Sequence, residues 1–248
     1  MHSRLRMKNA EELASFSYMG TLDDGLSNLL DKVPQCISMH DMLEEMVEEI
    51  VLQEPNHPLM RSRLWRTEDV YKVLRYNKRT DSTEGMKLDM FRIDHKLPLC
   101  STVFENMFYL RYINFYFSSF SGRSRNRKLH ADDVDDVFLP EELRLLCWEY
   151  YPFKYLSSFN PKNLVVLKLP HGNMEQLWTD DDDRIPDLSS ATNLEVVCFN
   201  GCRSLVEFPC FDHLTSLKRL QLHGCYNLKK FPEVTGNVSL LERSRRSS

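Results

Sequence analysis

The sequence has no C-x-x-C pair, no uninterrupted apolar run long enough to span a bilayer, and no dominance of one charge sign. Its seven cysteines, at positions 36, 100, 147, 198, 202, 210 and 225, are odd in number, which fits neither a disulfide framework nor a zinc site and suits a reducing compartment. Charges nearly balance, 32 basic against 36 acidic side chains for a net charge of -4, so no overall field draws the chain onto nucleic acid or an anionic membrane. The basic stretch Met1 to Asn9 is followed by Glu11, Glu12 and Ser15 where a secretion signal would place its apolar core. The expectation is a soluble intracellular chain, cytoplasmic with the nucleus as a second option, with neither a membrane nor nucleic acid as partner.

Signatures of catalysis are missing as well. The histidines at 2, 57, 95, 130, 171, 213 and 223 show no H-x-x-x-H spacing, and there is no G-x-S-x-G elbow. A phosphate cradle needs G-x-x-x-x-G-K-[ST], because glycine amides wrap the phosphates and the lysine neutralises them. Gly20-Thr-Leu-Asp-Asp-Gly25-Leu26-Ser27 has the glycine spacing but places Leu26 at the lysine position and adds two aspartates. The isolated chain is therefore expected to be no enzyme, to bind no metal and to hold no nucleotide cofactor by itself.

What is present is a repeat. Leu194-Glu-Val-Val197-Cys-Phe199-Asn-Gly201-Cys202-Arg-Ser-Leu205-Val-Glu-Phe208-Pro209 aligns with Leu217-Lys-Arg-Leu220-Gln-Leu222-His-Gly224-Cys225-Tyr-Asn-Leu228-Lys-Lys-Phe231-Pro232 at a constant offset of 23, eight positions being identical or apolar for apolar. The pattern L-x-x-L-x-L-x-x-C-x-x-L-x-x-F-P, a short strand followed by a tight return, is the leucine-rich-repeat signature. Its strand core recurs as Leu164-Val-Val-Leu167-Lys-Leu169, Leu143-Arg-Leu-Leu146-Cys-Trp148 and Leu110-Arg-Tyr-Ile113-Asn-Phe115, and five copies suffice to bury a stacked core. First leucines lie 33, 21, 30 and 23 residues apart, so the excess is expected in loops: Ser118 to Asp136, with a basic then an acidic run, and Thr179 to Arg184, both read as solvated. Cys202 and Cys225 fall at equivalent turns and read as small buried thiols bonded to backbone.

Upstream the period changes to that of a helix. Met39, Met42, Leu43, Met46, Val47, Ile50 and Val51 share one face, Asp41 is placed to cap, and Glu44, Glu45, Glu48 and Glu49 lie opposite. Gly25 to Lys32 reads as an earlier helix. Glu54-Pro-Asn-His-Pro58 breaks the pattern, Glu68 to Arg75 reads as a further helix, and Gly85 to Met90 alternates as a strand expected to cap the open end of the repeats.

Several ordered segments together resemble one family, the plant nucleotide-binding leucine-rich-repeat disease resistance proteins of the class that begins with a TIR domain. Met39-His40-Asp41 matches its M-H-D switch motif, followed by Met42-Leu-Glu-Glu-Met46 and Glu49-Ile-Val51. Arg61-Ser-Arg-Leu-Trp65 with Glu68-Asp-Val70 matches the junction between switch and repeats. Leu139-Pro-Glu-Glu-Leu143, Trp148, Tyr151-Pro152, Asn163-Leu164 and Glu175-Gln-Leu-Trp178 match successive repeats. The match runs over roughly residues 20 to 234. The TIR domain and the complete nucleotide core are not in the sequence, one repeat is missing between Trp178 and Pro186, and the end drifts into Glu242-Arg-Ser-Arg-Arg246, which together read as a truncated product.

The resemblance implies an α/β chain: a short leucine-rich-repeat solenoid preceded by a helical winged-helix remnant of the nucleotide-binding module. The implied divisions are the remnant with its M-H-D motif at 1–53, a helical connector at 54–84, the repeats at 85–234 and a polar tail at 235–248. It implies a part in plant innate immunity and defence signal transduction. ADP or ATP is a property of full-length relatives, with His40 approaching the terminal phosphate and Met39 and Asp41 beside it. A non-immune repeat scaffold, or part of a longer nucleotide-dependent ATPase or NADase receptor, are the alternatives.

In L-x-x-L-x-L the leucines point inward and the residues between them point outward. That places Tyr112, Asn114 and Tyr116, then Leu145, Cys147 and Glu149, then Val166 and Lys168, then Val196, Cys198 and Asn200, then Arg219, Gln221 and His223 on one surface. Tyr112, Asn114, Lys168, Asn200, Arg219, Gln221 and His223 are the candidate protein-binding residues. The implied partners are a pathogen effector, a guarded host protein or the receptor's own nucleotide-binding domain.

Overall fold

Leu110, Leu143, Leu164, Leu194 and Leu217 each stand two residues ahead of a strand, and these strands lie side by side. The computed structural model describes residues 60–242 apart from 79, 81, 94–95, 119–128, 132–134, 157–158, 161, 178–187, 208–213 and 230–240. The main sheet has eight parallel strands. In sheet order they are β1 (Arg63–Leu64), β2 (Gly85–Asp89), β4 (Tyr112–Tyr116), β6 (Leu145–Trp148), β7 (Val166–Lys168), β8 (Val196–Cys198), β9 (Arg219–Gln221) and β10 (Leu241–Glu242). Two further strands, β3 (Leu97–Leu99) and β5 (Leu129–Ala131), pair parallel in a sheet of their own.

Sequence periodicity explains the stacking. Ile113, Leu146, Leu167, Val197 and Leu220 are register partners along one row, and all are buried in a single core. Phe115, Trp148, Leu169, Phe199 and Leu222, two residues on, are buried in the same core. Each buried side chain of this size stabilises by about 1.5–3 kcal/mol over its exposed form. The approach to four of these strands is tightened the same way: the amides of Leu110, Leu143, Leu194 and Leu217 donate to the carbonyls of Met107, Pro140, Ala191 and Leu214. The thiols of Cys202 and Cys225 donate to Leu169 O at 3.1 Å and Phe199 O at 3.0 Å, tying each turn to the preceding repeat as the sequence implied.

Helix α1, Thr67–Arg75, begins with Glu68 and Asp69 and ends with Lys72 and Arg75, charges placed to complement its dipole. It buries Val70, Val73 and Leu74 in the same core as the strands, and Asp69 pairs with Arg61 at 2.8 Å. Two expectations are corrected here. Gly85–Asp89 is a strand but does not cap the sheet, because β1 pairs outside it through Arg63 and Leu64. The stretch 118–136 is not wholly solvated loop: Leu129–Ala131, a short uncharged run between charge clusters, pairs with β3, and Asp135 accepts from the amides of Lys154 and Tyr155. The helix expected over residues 39–51 lies outside the described residues.

Candidate functional site

Strand register gathers the alternate residues into rows. Tyr112, Leu145, Val166, Val196 and Arg219 form one, and Asn114, Cys147, Lys168, Cys198 and Gln221 form the next. With strands about 4.8 Å apart, such a row crosses roughly 20 Å of sheet. Lys168, Arg219 and Gln221 are partly exposed on it. Tyr112 and Asn114, expected at the surface, are 5% and 1% exposed. Leu145, Cys147, Val166 and Val196 join Tyr112 in a second apolar cluster, separate from the main core. The exposure was misjudged because neighbouring apolar positions at strand spacing cover one another, which alternation along a single strand cannot reveal. Burial pushes the Cys147 thiol up to about 12, against the opposing pull of Lys168, so this sulfur stays protonated and poorly nucleophilic.

At the β2 to β6 end of the same face the Lys87 ammonium lies 5.6 Å from the Tyr116 ring centre. Asp89 accepts from the amides of Phe91 at 3.0 Å and Ser118 at 3.1 Å, and Glu149 accepts from Phe117 N at 3.3 Å. Burial raises the Glu149 carboxyl from 4.5 to about 7, the Phe117 amide opposes that, and the nearby Asp89 adds to it. A carboxyl raised on folding binds its proton more tightly in the native state. Its contribution to stability is therefore greatest below about pH 4.5, declines as pH rises through the interval, and is lost above about 7. The full shift would amount to about 3 kcal/mol, less whatever solvent screens at a partly exposed group. Glu149→Gln is expected to flatten the fall in melting temperature between pH 5 and pH 8; an unchanged slope would assign that fall to other groups.

The residues following the strands make a second feature. Extending the strand register puts Phe117, Tyr150, His171, Gly201 and Gly224 in one column. The amides of Tyr150, His171 and Gly201 donate to Pro170 O, Asn200 O and His223 O at 2.7–2.9 Å, so each turn hangs on the next. Tyr150 (φ 55°), His171 (φ 59°), Gly201 (φ 73°) and Gly224 (φ 76°) all adopt the left-handed conformation. Phe117 meets Tyr150 edge-on at 5.4 Å, and Tyr150 stacks on His171 at 5.1 Å. The column then runs out of side chains, and a cavity of about 200 Å³ opens over the glycines, lined by His171, Asn200, Arg203, His223 and Tyr226. His223 N donates to Asn200 Oδ1 at 2.9 Å, which joins two of the sequence-predicted binding residues at this cavity and not in the rows on the strands.

Sequence reasoning passed over Tyr150, His171, Arg203 and Tyr226. The shared Asn200-Gly201-Cys202 and His223-Gly224-Cys225 was the available signal, since a glycine at a fixed place after a strand marks a left-handed turn. Met39, His40 and Asp41 lie outside the described residues. Among the described residues no group of three metal-ligating side chains converges, and no helix is long and apolar enough to cross a membrane.

An α/β chain built on a parallel sheet of in-register repeats is the class this geometry defines. No model of a known protein family matches it. Individual relatives do match. The chain is 35% identical over 249 residues to disease resistance protein RPP2A of Arabidopsis thaliana, covering 91% of this chain and 18% of that protein. Disease resistance proteins RPS6 and RPS4 of the same plant are 33% and 32% identical, over 88% and 90% of this chain and 23% and 19% of their own lengths. The chain belongs to the plant disease resistance proteins. It spans between 18% and 23% of the length of these relatives.

Proposed function

We propose that the chain is the part of an intracellular immune receptor where the nucleotide switch passes into a leucine-rich-repeat solenoid, and that its sheet surface recognises protein. Residues 1–53 are the winged-helix remnant in this reading, and the strands from β2 onward are the solenoid. The observation that carries it is the strand register that puts Lys168 of β7 in one row with Gln221 of β9, across Cys198 of β8, with Arg219 on the same face of β9, all three at partly exposed positions. A cation, an amide and a guanidinium on a rigid strand scaffold suit a polar protein contact at low ordering cost. The partner is an effector, a guarded host protein or the receptor's own nucleotide-binding domain; the compartment is the cytoplasm or nucleus. The chain itself is not an enzyme. ADP is held only when a complete core supplies the phosphate cradle, because one hydrogen bond from His40 contributes about 0.5–1.5 kcal/mol whereas millimolar affinity requires about 4.

The test uses the separately produced nucleotide-binding region of a related receptor as probe. Arg219→Ala with Gln221→Ala is expected to weaken its binding at least tenfold, while deletion of 179–183 leaves it within twofold. Loss of binding on the deletion alone, with the double variant indifferent, would move recognition to the acidic loop and sink the reading.

A further inference from the structure

The stacked column Phe117, Tyr150, His171 stops at Gly201, yet the turns beneath it continue through Gly201 to Gly224 with the same left-handed backbone. The His171 imidazole already fills the space that a side chain at Gly201 would need, and beyond it Gly224 carries no ring. The vacated volume, about 200 Å³, admits one aromatic ring, and the exposed His171 borders it. Tyr226 and Arg203, which follow Cys225 and Cys202 in their repeats, border it too, and both are exposed. Their side chains offer a ring and a guanidinium, and no carboxylate is among the residues that line the cavity.

We propose that this notch is a docking site for one aromatic side chain of a partner polypeptide, with an acidic residue next to it. The incoming ring extends the stack from His171 over Gly224, and the neighbouring carboxylate pairs with Arg203. Aromatic pairs prefer centroid separations of about 4.5–7 Å, the spacing the column already keeps between its own members. Charge complementarity selects the occupant: a ring flanked by lysine would set like charges against Arg203, and a purely apolar residue would leave the guanidinium without an anion. The proposal deepens the reading of protein recognition and rests on it, but it concerns the turns and not the strand rows.

Titration of the full chain with acetyl-Asp-Trp-Glu-amide, followed through the imidazole resonances of His171 and His223, tests it. A saturable shift of both is expected, at least tenfold weaker for acetyl-Asp-Ala-Glu-amide and at least fivefold weaker for acetyl-Lys-Trp-Lys-amide. Arg203→Ala and Tyr226→Ala, both at exposed positions that leave the core intact, are each expected to weaken the tryptophan peptide at least threefold. Equal shifts with the Trp and Ala peptides, or no effect of either variant, overturn the site. N-acetyltryptophan binding as tightly as the peptide would make the occupant a small molecule and overturn the polypeptide assignment. Failure here leaves the Arg219 and Gln221 result untouched, so the two readings fall separately.

Discussion

Trp148→Ala is expected to lower the unfolding free energy by about 3–5 kcal/mol, the range for removing a large aromatic from a packed interior. Trp148 is fully buried at the end of β6, and four rings surround it: Phe115 at 4.6 Å, Tyr151 at 5.3 Å, and Phe104 and Phe153 at 6.1 Å. All four meet the indole steeply, between 70° and 89°, so truncation leaves a void that several rigid rings must share. Rigid neighbours collapse poorly, which puts the cost toward the upper part of the range. The indole nitrogen is buried without a hydrogen-bond acceptor. Trp148→Phe therefore gives up no hydrogen bond and relieves a desolvated donor, so it is expected to cost less than about 2 kcal/mol. Urea unfolding of both variants checks this. A Trp148→Ala loss under 1 kcal/mol would mean that the aromatic cluster is not the centre of the core.

Gly201→Ala is expected to destabilise by about 2–5 kcal/mol, from two separable causes. One is conformational: at φ 73° a Cβ crowds the following carbonyl, which costs roughly 1–2 kcal/mol. The other is steric, because a Cβ at this position would collide with the His171 imidazole. Pairing the change with His171→Ala removes the second cause and leaves the first. The double variant is expected to recover about 1–3 kcal/mol of the loss relative to the sum of the single variants. Gly224 is the internal control. Its added Cβ would meet only Gly201, at 3.4 Å from the Cα, so Gly224→Ala should show the conformational part alone and no coupling to His171. Coupling of equal size at both glycines would show that the clash is not what constrains the turn.

These two sites show how unevenly the molecule was legible. The row of core leucines could be read directly, because a buried position in a strand must be apolar and the spacing of Leu194, Val197 and Phe199 against Leu217, Leu220 and Leu222 states that requirement twice. Cys202 and Cys225 were legible for the same reason: one turn, repeated, places one small thiol where a carbonyl of the preceding repeat is within reach. The short strand β1 was not, since two residues carry no period and their pairing depends on where β2 happens to leave its edge.

The candidate surface divides in the same way. Alternation along each strand determined, from sequence alone, which residues share a face: Tyr112 with Leu145, Val166, Val196 and Arg219, and Asn114 with Cys147, Lys168, Cys198 and Gln221. How much of that face is exposed is a property of neighbours across strands, and only the stacked sheet decided it, burying Tyr112 and Asn114 while leaving Lys168, Arg219 and Gln221 partly open. The column of turns is wholly a tertiary product. Tyr150, His171, Gly201 and Gly224 lie 21, 30 and 23 residues apart, and unequal loops hide their equivalence until hydrogen bonds between successive turns bring them into line. Local sequence determines the period of a repeat because burial acts residue by residue. What the repeats enclose between them is set by the register in which they stack, and register is a contact between residues that the chain itself holds far apart.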